Sequence, residues 1–328
     1  MINIFSYIGL LIGLIVLVLL IAWQGFAEIL NVLTGGGWLL LALPFIWLPS
    51  FIFQVYGWNY LFPVKRIPPF KELFLSLWMG RAINTLLPVA TIGGEIAKAR
   101  LLILWGRDGL DASASVMVDK AVQALALVPW AIIGTCLMLY LAIDNKLAMY
   151  IAIGTFILCL NVIGFMFLQR KGMFGFSAKL VGKFTSSDKW GQITNNAHQV
   201  DGIVRSLYSD KKRFSLSVFW RTVGLILSTA EVWLACYLLG YPISILEAVM
   251  LKSLTQIITD IAFVIPNGYG IQEGGFILIG SLVGLSPEVG LAVSLAIRIR
   301  ELVFDLPGLI LWHHIEVRYL LKKKAQTT

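Results

Sequence analysis

Long uninterrupted apolar blocks decide what this chain can fold into. The stretches from Ile4 to Trp23 and from Trp38 to Phe62 contain no charged residue, and about 20 apolar residues suffice for a helix to cross a bilayer. Composition points the same way: 58% of residues are hydrophobic and 13% charged, with a mean hydropathy of +0.83, against roughly 45–50% apolar and about 25% charged in an average soluble domain. A soluble globule is excluded, and the expected class is an all-α polytopic membrane protein.

No basic residue precedes the first apolar run, and no small-residue cleavage site follows it before Glu28. The segment is therefore expected to stay as a helix rather than leave as a signal peptide. Cys136, Cys159 and Cys236 are scattered through apolar stretches. They form neither an even disulfide set nor a metal-spaced pair, and read as small core residues.

The formal charge of +8, from 26 Lys and Arg against 18 Asp and Glu, is distributed unevenly. Basic clusters fall at Lys65, Arg66 and Lys71, at Arg107, at Arg170 and Lys171, at Lys179, Lys183 and Lys189, at Lys211 to Arg213, and at Arg318 with Lys322 to Lys324. The intervening connections, 28–37, 144–146 and 240–244, offer only Lys146. The positive-inside rule then predicts cytoplasmic termini.

Lys71 and Arg107 both prefer the cytoplasm, yet about 35 residues separate them, too few for two crossings with a turn and too many for one. The middle reads Asn84-Thr-Leu-Leu-Pro88-Val-Ala-Thr-Ile-Gly93-Gly94-Glu95, where Pro removes a helix donor and paired Gly relaxes the backbone. This predicts a re-entrant hairpin of two half-helices. The signature recurs over 244–286, with its break at Pro266-Asn-Gly268-Tyr-Gly270-Ile-Gln272-Glu273-Gly274-Gly275. The expected architecture is six crossings, at about 4–23, 38–62, 110–141, 147–169, 214–240 and 288–316, plus two re-entrant hairpins. The chain divides into an N-terminal pair of crossings (1–62), a first repeat (63–141), two crossings around a cytoplasmic amphipathic segment at 172–213 (142–240), and a second repeat with a basic tail (241–328).

A shift of 178 positions superimposes Pro88 on Pro266, Glu95 on Glu273, Gly106 on Gly284, Ala114 on Ala292, Lys120 on Arg298 and Pro129 on Pro307 without a gap. Overall identity is low, so the weight lies in the coincidence of both helix breaks, both acids and both intramembrane bases. Three crossings separate the copies, an odd number, which inverts the second. Inverted broken elements meeting near the midplane are the sequence pointer to a transporter's binding site.

A charge at the centre of a spanning helix costs roughly 2.5–3.5 kcal/mol on insertion scales, so each asks for a partner or a task. Ser294, Arg298, Glu301 and Asp305 follow one stripe of the last crossing, with Arg300 on another face, and Ser115, Asp119 and Gln123 do the same in the third, beside Lys120. Two such stripes can face one shared cavity. Arg298 and Glu301 stand at a spacing that permits mutual neutralisation; alternatively Arg298, with Lys120, binds a lipid phosphate or another anionic head group. Glu231 is either a counter-ion or a proton-coupling acid. Glu95 and Glu273 begin outgoing half-helices, where a carboxylate satisfies free amides at the positive end of the dipole; the same termini can form a head-group pocket. Lys98 and Arg100 are expected to snorkel towards the interface, and Arg81 and Arg221 share that ambiguity.

Trp190, Ile193, Ala197, Val200, Val204 and Leu207 recur at three- and four-residue steps, which describes an amphipathic helix. With Lys179 and Lys183 preceding it, the segment is expected to lie on anionic inner-leaflet lipids. His198 reads as solvated, and His313 with His314 is weak ground for a metal; no metal or other cofactor is expected. No phosphate-cradling P-loop, nucleophile elbow or dinucleotide fingerprint occurs in a suitable setting. The chain is not expected to be an enzyme.

Three blocks, INTLLPVATIGGEIAKARLL at 83–102, SASVMVDKAVQAL at 113–125 and the run from Ile265 to Trp312, together resemble the hopanoid-biosynthesis-associated (HpnL-like) branch of the flippase-like superfamily, which includes the transmembrane region of lysylphosphatidylglycerol synthetases. The resemblance covers most of residues 60–316. It implies movement of a lipid between leaflets through a cavity formed by the two broken hairpins, with a homodimer as the assembly. Carried over by position, it favours Gly93, Gly94, Glu95, Arg100, Asp119, Gly270, Gln272, Glu273, Gly274, Arg298 and Glu301. Unlike the synthetases, this sequence ends soon after its last helix, so lipid aminoacylation is not expected.

The residues themselves add Asn84, Pro88, Lys120, Gln123, Glu231, Pro266 and Gly268 to that candidate translocation site. The combined expectation is an inner-membrane lipid flippase or transporter for a lipid with a polar or anionic head, in contact with anionic lipids and not with nucleic acid. The alternatives are a carrier for a small soluble anion, a non-transporting accessory protein that scaffolds lipid-synthesis enzymes, and an integral lipid-modifying enzyme.

Overall fold

Lipid offers backbone groups no hydrogen-bond partners, so apolar blocks of this kind satisfy their amides internally, as helices. A computed structural model describes Leu11, Ile15, Val18, Leu19 and residues 26–87, 92–141, 145–171, 188–261 and 265–327. Among these the regular elements are all helical. In chain order they are α1 (Phe26–Gly36), a 3-10 turn (Gly37–Ala42), α2 (Leu43–Asn59), a second 3-10 turn (Val64–Arg66), α3 (Phe70–Leu86), α4 (Gly93–Leu104), α5 (Gly109–Tyr140) and α6 (Asn145–Arg170). There follow α7 (Asp188–Ser209), α8 (Lys211–Leu227), α9 (Thr229–Leu238), α10 (Ile245–Ile261), a third 3-10 turn (Pro266–Gly268), α11 (Ile271–Leu282) and α12 (Pro287–Thr327).

Four helical stretches among the described residues are long and apolar enough to cross a membrane: Leu30–Asn59, Gly109–Tyr140, Ala152–Arg170 and Lys211–Leu238. They correspond to the second to fifth crossings expected from sequence. The first, at 4–23, lies outside the described residues apart from four positions. The sixth is part of α12, a continuous helix of 41 residues, about 60 Å long at 1.5 Å per residue. It is long enough, but Arg298, Arg300, Glu301 and Asp305 interrupt its apolar character. The stretch from 211 to 238 contains a turn at Ser228 that separates α8 from α9.

Both breaks anticipated in the sequence separate helices. The α3 helix ends at Leu86 and α4 starts at Gly93, with Pro88 in the part between them that lies outside the described residues. Between α10 and α11 the turn Pro266–Gly268 contains Asn267 at φ 51°, followed by Gly268 at 58° and Gly270 at 77°. A left-handed backbone is natural for Gly and accessible to Asn.

The 178-residue register extends to the elements. Under that shift Gly93–Leu104 coincides with Ile271–Leu282, and the start of α5 at Gly109 with that of α12 at Pro287. The two shorter helices end alike: Gly106 and Gly284 both stand at φ 81°, and Arg107 N donates to Leu102 O as Leu285 N donates to Gly280 O, each at 3.0 Å. This is the Schellman ending, in which a left-handed residue lets later amides satisfy the last carbonyls. Pro129 and Pro307 also occupy matching positions inside α5 and α12.

Two compact units share the chain: Met1–Pro49, Leu75–Ala97 and Ser228–Thr328 form the first, Ser50–Phe74 and Lys98–Leu227 the second. Within the second, α2 and α8 pack closely. Ser50 Oγ donates to Gly224 O at 2.7 Å, a Cβ on Gly57 would stand 3.1 Å from Ser217 O, and Phe53 stacks on Trp220 at 5.1 Å. Within the first, Trp78 Nε1 donates to Phe304 O at 2.8 Å, and Trp47 packs edge-on against Phe304 at 5.1 Å.

Candidate functional site

The first unit holds an ionic network built around the start of α11. Gly270 sits in the left-handed region, which turns its amide towards the first turn of that helix, and Glu273 Oε2 accepts from Gly270 N at 2.7 Å. The other carboxylate oxygen accepts from Arg298 Nε of α12 at 2.9 Å, with Ser294 Oγ 3.5 Å away. Gln272 Nε2 donates to Ser294 Oγ at 3.0 Å. Glu273 is fully buried, so its charge depends on these partners.

Arg298 is committed to the break itself. Its Nη1 donates to Asn267 O at 3.0 Å and to Glu301 Oε2 at 3.0 Å, its Nη2 lies 3.4 Å from Gly268 O, and its guanidinium covers the Tyr269 ring at 4.6 Å. Carbonyls turned out of a helix need donors, and one guanidinium supplies them. Glu301 extends the network: Oε2 also accepts from Asn267 Nδ2 at 3.1 Å, and Oε1 faces Arg81 Nη2 at 3.4 Å and Arg300 Nη2 at 3.8 Å. Arg81, on α3, donates from Nε to Asp305 Oδ1 at 3.2 Å.

Arg300 points to another face of α12, as its spacing predicts, and stands 2.8 Å from Glu231 Oε2, whose Oε1 accepts from Lys252 Nζ at 2.8 Å. Both the Arg81 and the Arg300 guanidinium lie over the Trp47 side chain, each 4.5 Å from a ring centroid. Among the described residues the network thus joins four bases to four acids. A buried charge is tolerated only when paired and hydrogen-bonded, and here every one is paired.

The same unit gathers Asn84, Gly94 and Glu95 where α3 and α4 approach. Asn84 Oδ1 accepts from Gly94 N at 2.8 Å, and its Nδ2 lies 3.4 Å from Glu95 Oε1. A Cβ on Gly94 would stand 2.0 Å from Gly80 O, so only Gly permits this approach. Gly93 is the first residue of α4, and the space beside Gly274 on α11 is open.

The second unit centres on Asp119 of α5, fully buried. Lys98 Nζ reaches Oδ2 at 3.0 Å, Arg221 of α8 donates from Nη2 to Oδ1, and Gln123 Nε2 donates to Oδ2 at 2.8 Å. Lys120 Nζ reaches Gln123 Oε1 at 3.3 Å, and Arg221 Nη1 donates to Gln54 Oε1 at 3.0 Å. Lys98 does not snorkel: it is 2% exposed and lies over Trp58 at 5.2 Å. Arg221 is likewise buried, whereas Arg100 is exposed on α4. Of the two bases read together from sequence, Arg298 belongs to the first unit's network and Lys120 to the second's.

Lys252, Asn267, Trp47 and Gln54 escaped the sequence reading. A signal existed for Lys252, a lone base inside the apolar run of α10, because an ionisable residue at membrane depth is a functional candidate by default. Asn267 and Trp47 carried none, since their roles depend on a backbone turn and on residues far away in sequence. Among the described residues, no three His, Cys, Asp or Glu side chains gather as a metal site would require.

The family model of the lysylphosphatidylglycerol synthase TM region matches residues 8–307. A UPF0104 membrane protein of Methanocaldococcus jannaschii is 22% identical over 315 residues, covering 90% of each chain. Another, from Methanothermobacter thermautotrophicus, is 24% identical over 240 residues, covering 70% of each. No solved structure matches the chain.

Proposed function

We propose that this chain, which belongs to the lysylphosphatidylglycerol synthase TM region family, is a transporter that moves a lipid with a polar or anionic head between leaflets while its tails stay in the bilayer. The observation that carries this reading is the fixing of a broken helix pair at Asn267 and Gly268 by Arg298, itself held by Glu273 and Glu301. Backbone interrupted at membrane depth survives where it is buried in protein or lines a water-filled cavity, and a polar head crossing a bilayer needs such a lining.

The reading has six crossings and two re-entrant hairpins in inverted repeats, with both termini in the cytoplasm of a bacterial cell. Its translocation residues centre on Asn84, Glu95, Gln272, Glu273, Arg298 and Glu301. The three sequence blocks favour the hopanoid-associated branch, and the chain performs no chemistry on its lipid.

The test is reagent-accessible transfer of labelled phospholipids in reconstituted vesicles, comparing wild type with Glu273→Ala and Arg298→Ala. Transfer by the wild type that both substitutions abolish supports the reading. Absence of transfer by folded wild type across phospholipid and isoprenoid-phosphate cargoes overturns it in favour of an accessory role in lipid synthesis.

A further inference from the structure

The arginines of the first unit's network differ in what they have left to offer. Arg298 gives four of its five N–H groups to Glu273, Glu301 and the carbonyls of Asn267 and Gly268. Arg300 is 2% exposed, so nothing outside the protein reaches it. Arg81 is different. Its side chain is 26% exposed, and its partners among the described residues are Asp305 on Nε and Glu301 on Nη2, the latter at a long 3.4 Å. Both hydrogens on Nη1 and one on Nη2 have no acceptor among the described residues. Trp47 supports one face of the guanidinium at 4.5 Å, which fixes the plane of the fork.

We infer that Arg81 binds the oxyanion of the transported head group, a phosphate-type group engaged through Nη1 and Nη2, and that Glu301 is the counter-ion it displaces. The inference rests on the transport reading for the lipid nature of the ligand. A planar fork with two adjacent donors matches a phosphate or carboxylate in a way an ammonium does not, and a guanidinium held on an aromatic face keeps that geometry with little loss of side-chain freedom. Glu301 is suited to yield because its other oxygen is already held by Arg298 and Asn267 at 3.0 and 3.1 Å. An anion on Arg81 therefore loosens the longer of that side chain's two ion pairs and leaves Glu301 tethered to the helix break. Occupancy of the head-group site is thereby coupled to Asn267, the left-handed residue between α10 and α11. Arg298, by contrast, acts as a positioning residue.

The test is direct binding to the full chain in a non-ionic detergent, using dioctanoyl phosphatidylglycerol, dioctanoylglycerol with the same tails and no phosphate, and inorganic phosphate. Wild type is expected to prefer the phosphorylated lipid. Arg81→Gln should weaken that preference at least tenfold, and Arg81→Lys, which keeps the charge and loses the fork, at least threefold. Dioctanoylglycerol binding should not change. If Arg81→Gln fails to fold, Arg81→Lys alone carries the comparison. Equal affinity of wild type and variant for the phosphorylated lipid, or no preference of wild type for it over dioctanoylglycerol, overturns the inference. Arg81-dependent binding of inorganic phosphate as tight as that of the lipid upholds the oxyanion site and removes the lipid as its source. Arg81-dependent lipid binding without transfer in vesicles upholds the inference and sinks the transport reading.

Discussion

Glu273 and Arg298 meet at 2.9 Å through Oε1 and Nε, while the second carboxylate oxygen of Glu273 takes the amide of Gly270 at 2.7 Å. One side chain thus satisfies a helix N-terminus and neutralises a base from another helix. The local and ionic readings of this acid, alternatives at the level of sequence, describe the same carboxylate.

That double duty separates two substitutions. Glu273→Gln keeps an acceptor for Gly270 N and loses the charge opposite Arg298, whereas Glu273→Ala loses both. Removing one partner of a buried pair costs about 3–5 kcal/mol, and an unmade buried hydrogen bond adds about 1–3 kcal/mol. Thermal unfolding in detergent is expected to rank wild type above Glu273→Gln and that above Glu273→Ala. Equal midpoints for the two variants would show that the amide contact contributes nothing.

Two glycines that the family resemblance favours alike should behave oppositely. A Cβ at Gly94 would overlap Gly80 O at 2.0 Å, while one at Gly274 meets nothing within 4 Å. Backbone has to move to relieve the first, at a cost of roughly 1–3 kcal/mol or more. The second gains helix propensity worth about 0.5–1 kcal/mol. Gly94→Ala should therefore lower folded yield and midpoint, and Gly274→Ala leave both unchanged or slightly raised. A tolerated Gly94→Ala would be incompatible with the close approach of α3 and α4.

The elements were legible where one physical rule dominates. Apolar length marked the spans near 30–59, 109–140, 152–170 and 211–238, and Pro with paired Gly marked both breaks. The register of 178 residues, visible as a handful of identities, reappears as helices of equal bounds and matching left-handed glycines at 106 and 284. Pairing was less legible. Spacing along α12 separated Arg300 from Arg298, but nothing local says that Glu231 answers both Arg300 and Lys252, or that Lys98 turns inward to Asp119 rather than outward to the interface. Such choices depend on what the neighbouring helix presents, and single-helix periodicity does not carry that information.

Asp119 tests the second network. Two bases, Lys98 and Arg221, converge on this one buried carboxylate, so Asp119→Asn leaves both underneutralised in a setting that penalises charge. The expected loss is roughly 3–5 kcal/mol, against about 1.5–3 kcal/mol for either of the hydrogen bonds that Gln123 makes to a charged partner. Combining Asp119→Asn with Arg221→Gln should cost less than the sum of the single changes, because the second removes a charge that the first has orphaned. Additivity in unfolding measurements would mean that the pair does not interact.

Tyr208 supplies a prediction at alkaline pH. It lies on α7, 3% exposed, and its Oη donates to Gln169 Oε1 at 2.6 Å. Burial disfavours the phenolate and pushes the group up to about 12, against a smaller opposing effect of Arg170, whose guanidinium is 4.9 Å from the ring. An unfolded tyrosine ionises near 10, so from about pH 10 the unfolded chain loses this proton while the folded chain keeps it. The stabilisation associated with the protonated form is complete below about pH 10 and is lost as pH rises towards about 12. Ultraviolet difference titration of wild type against Tyr208→Phe should show one tyrosine whose phenolate signal emerges only near pH 12. The variant's stability should fall less between pH 10 and 12 than that of wild type. A phenolate signal from Tyr208 at pH 10 would mean that the ring is open to water and that its bond to Gln169 does not hold α7 in place.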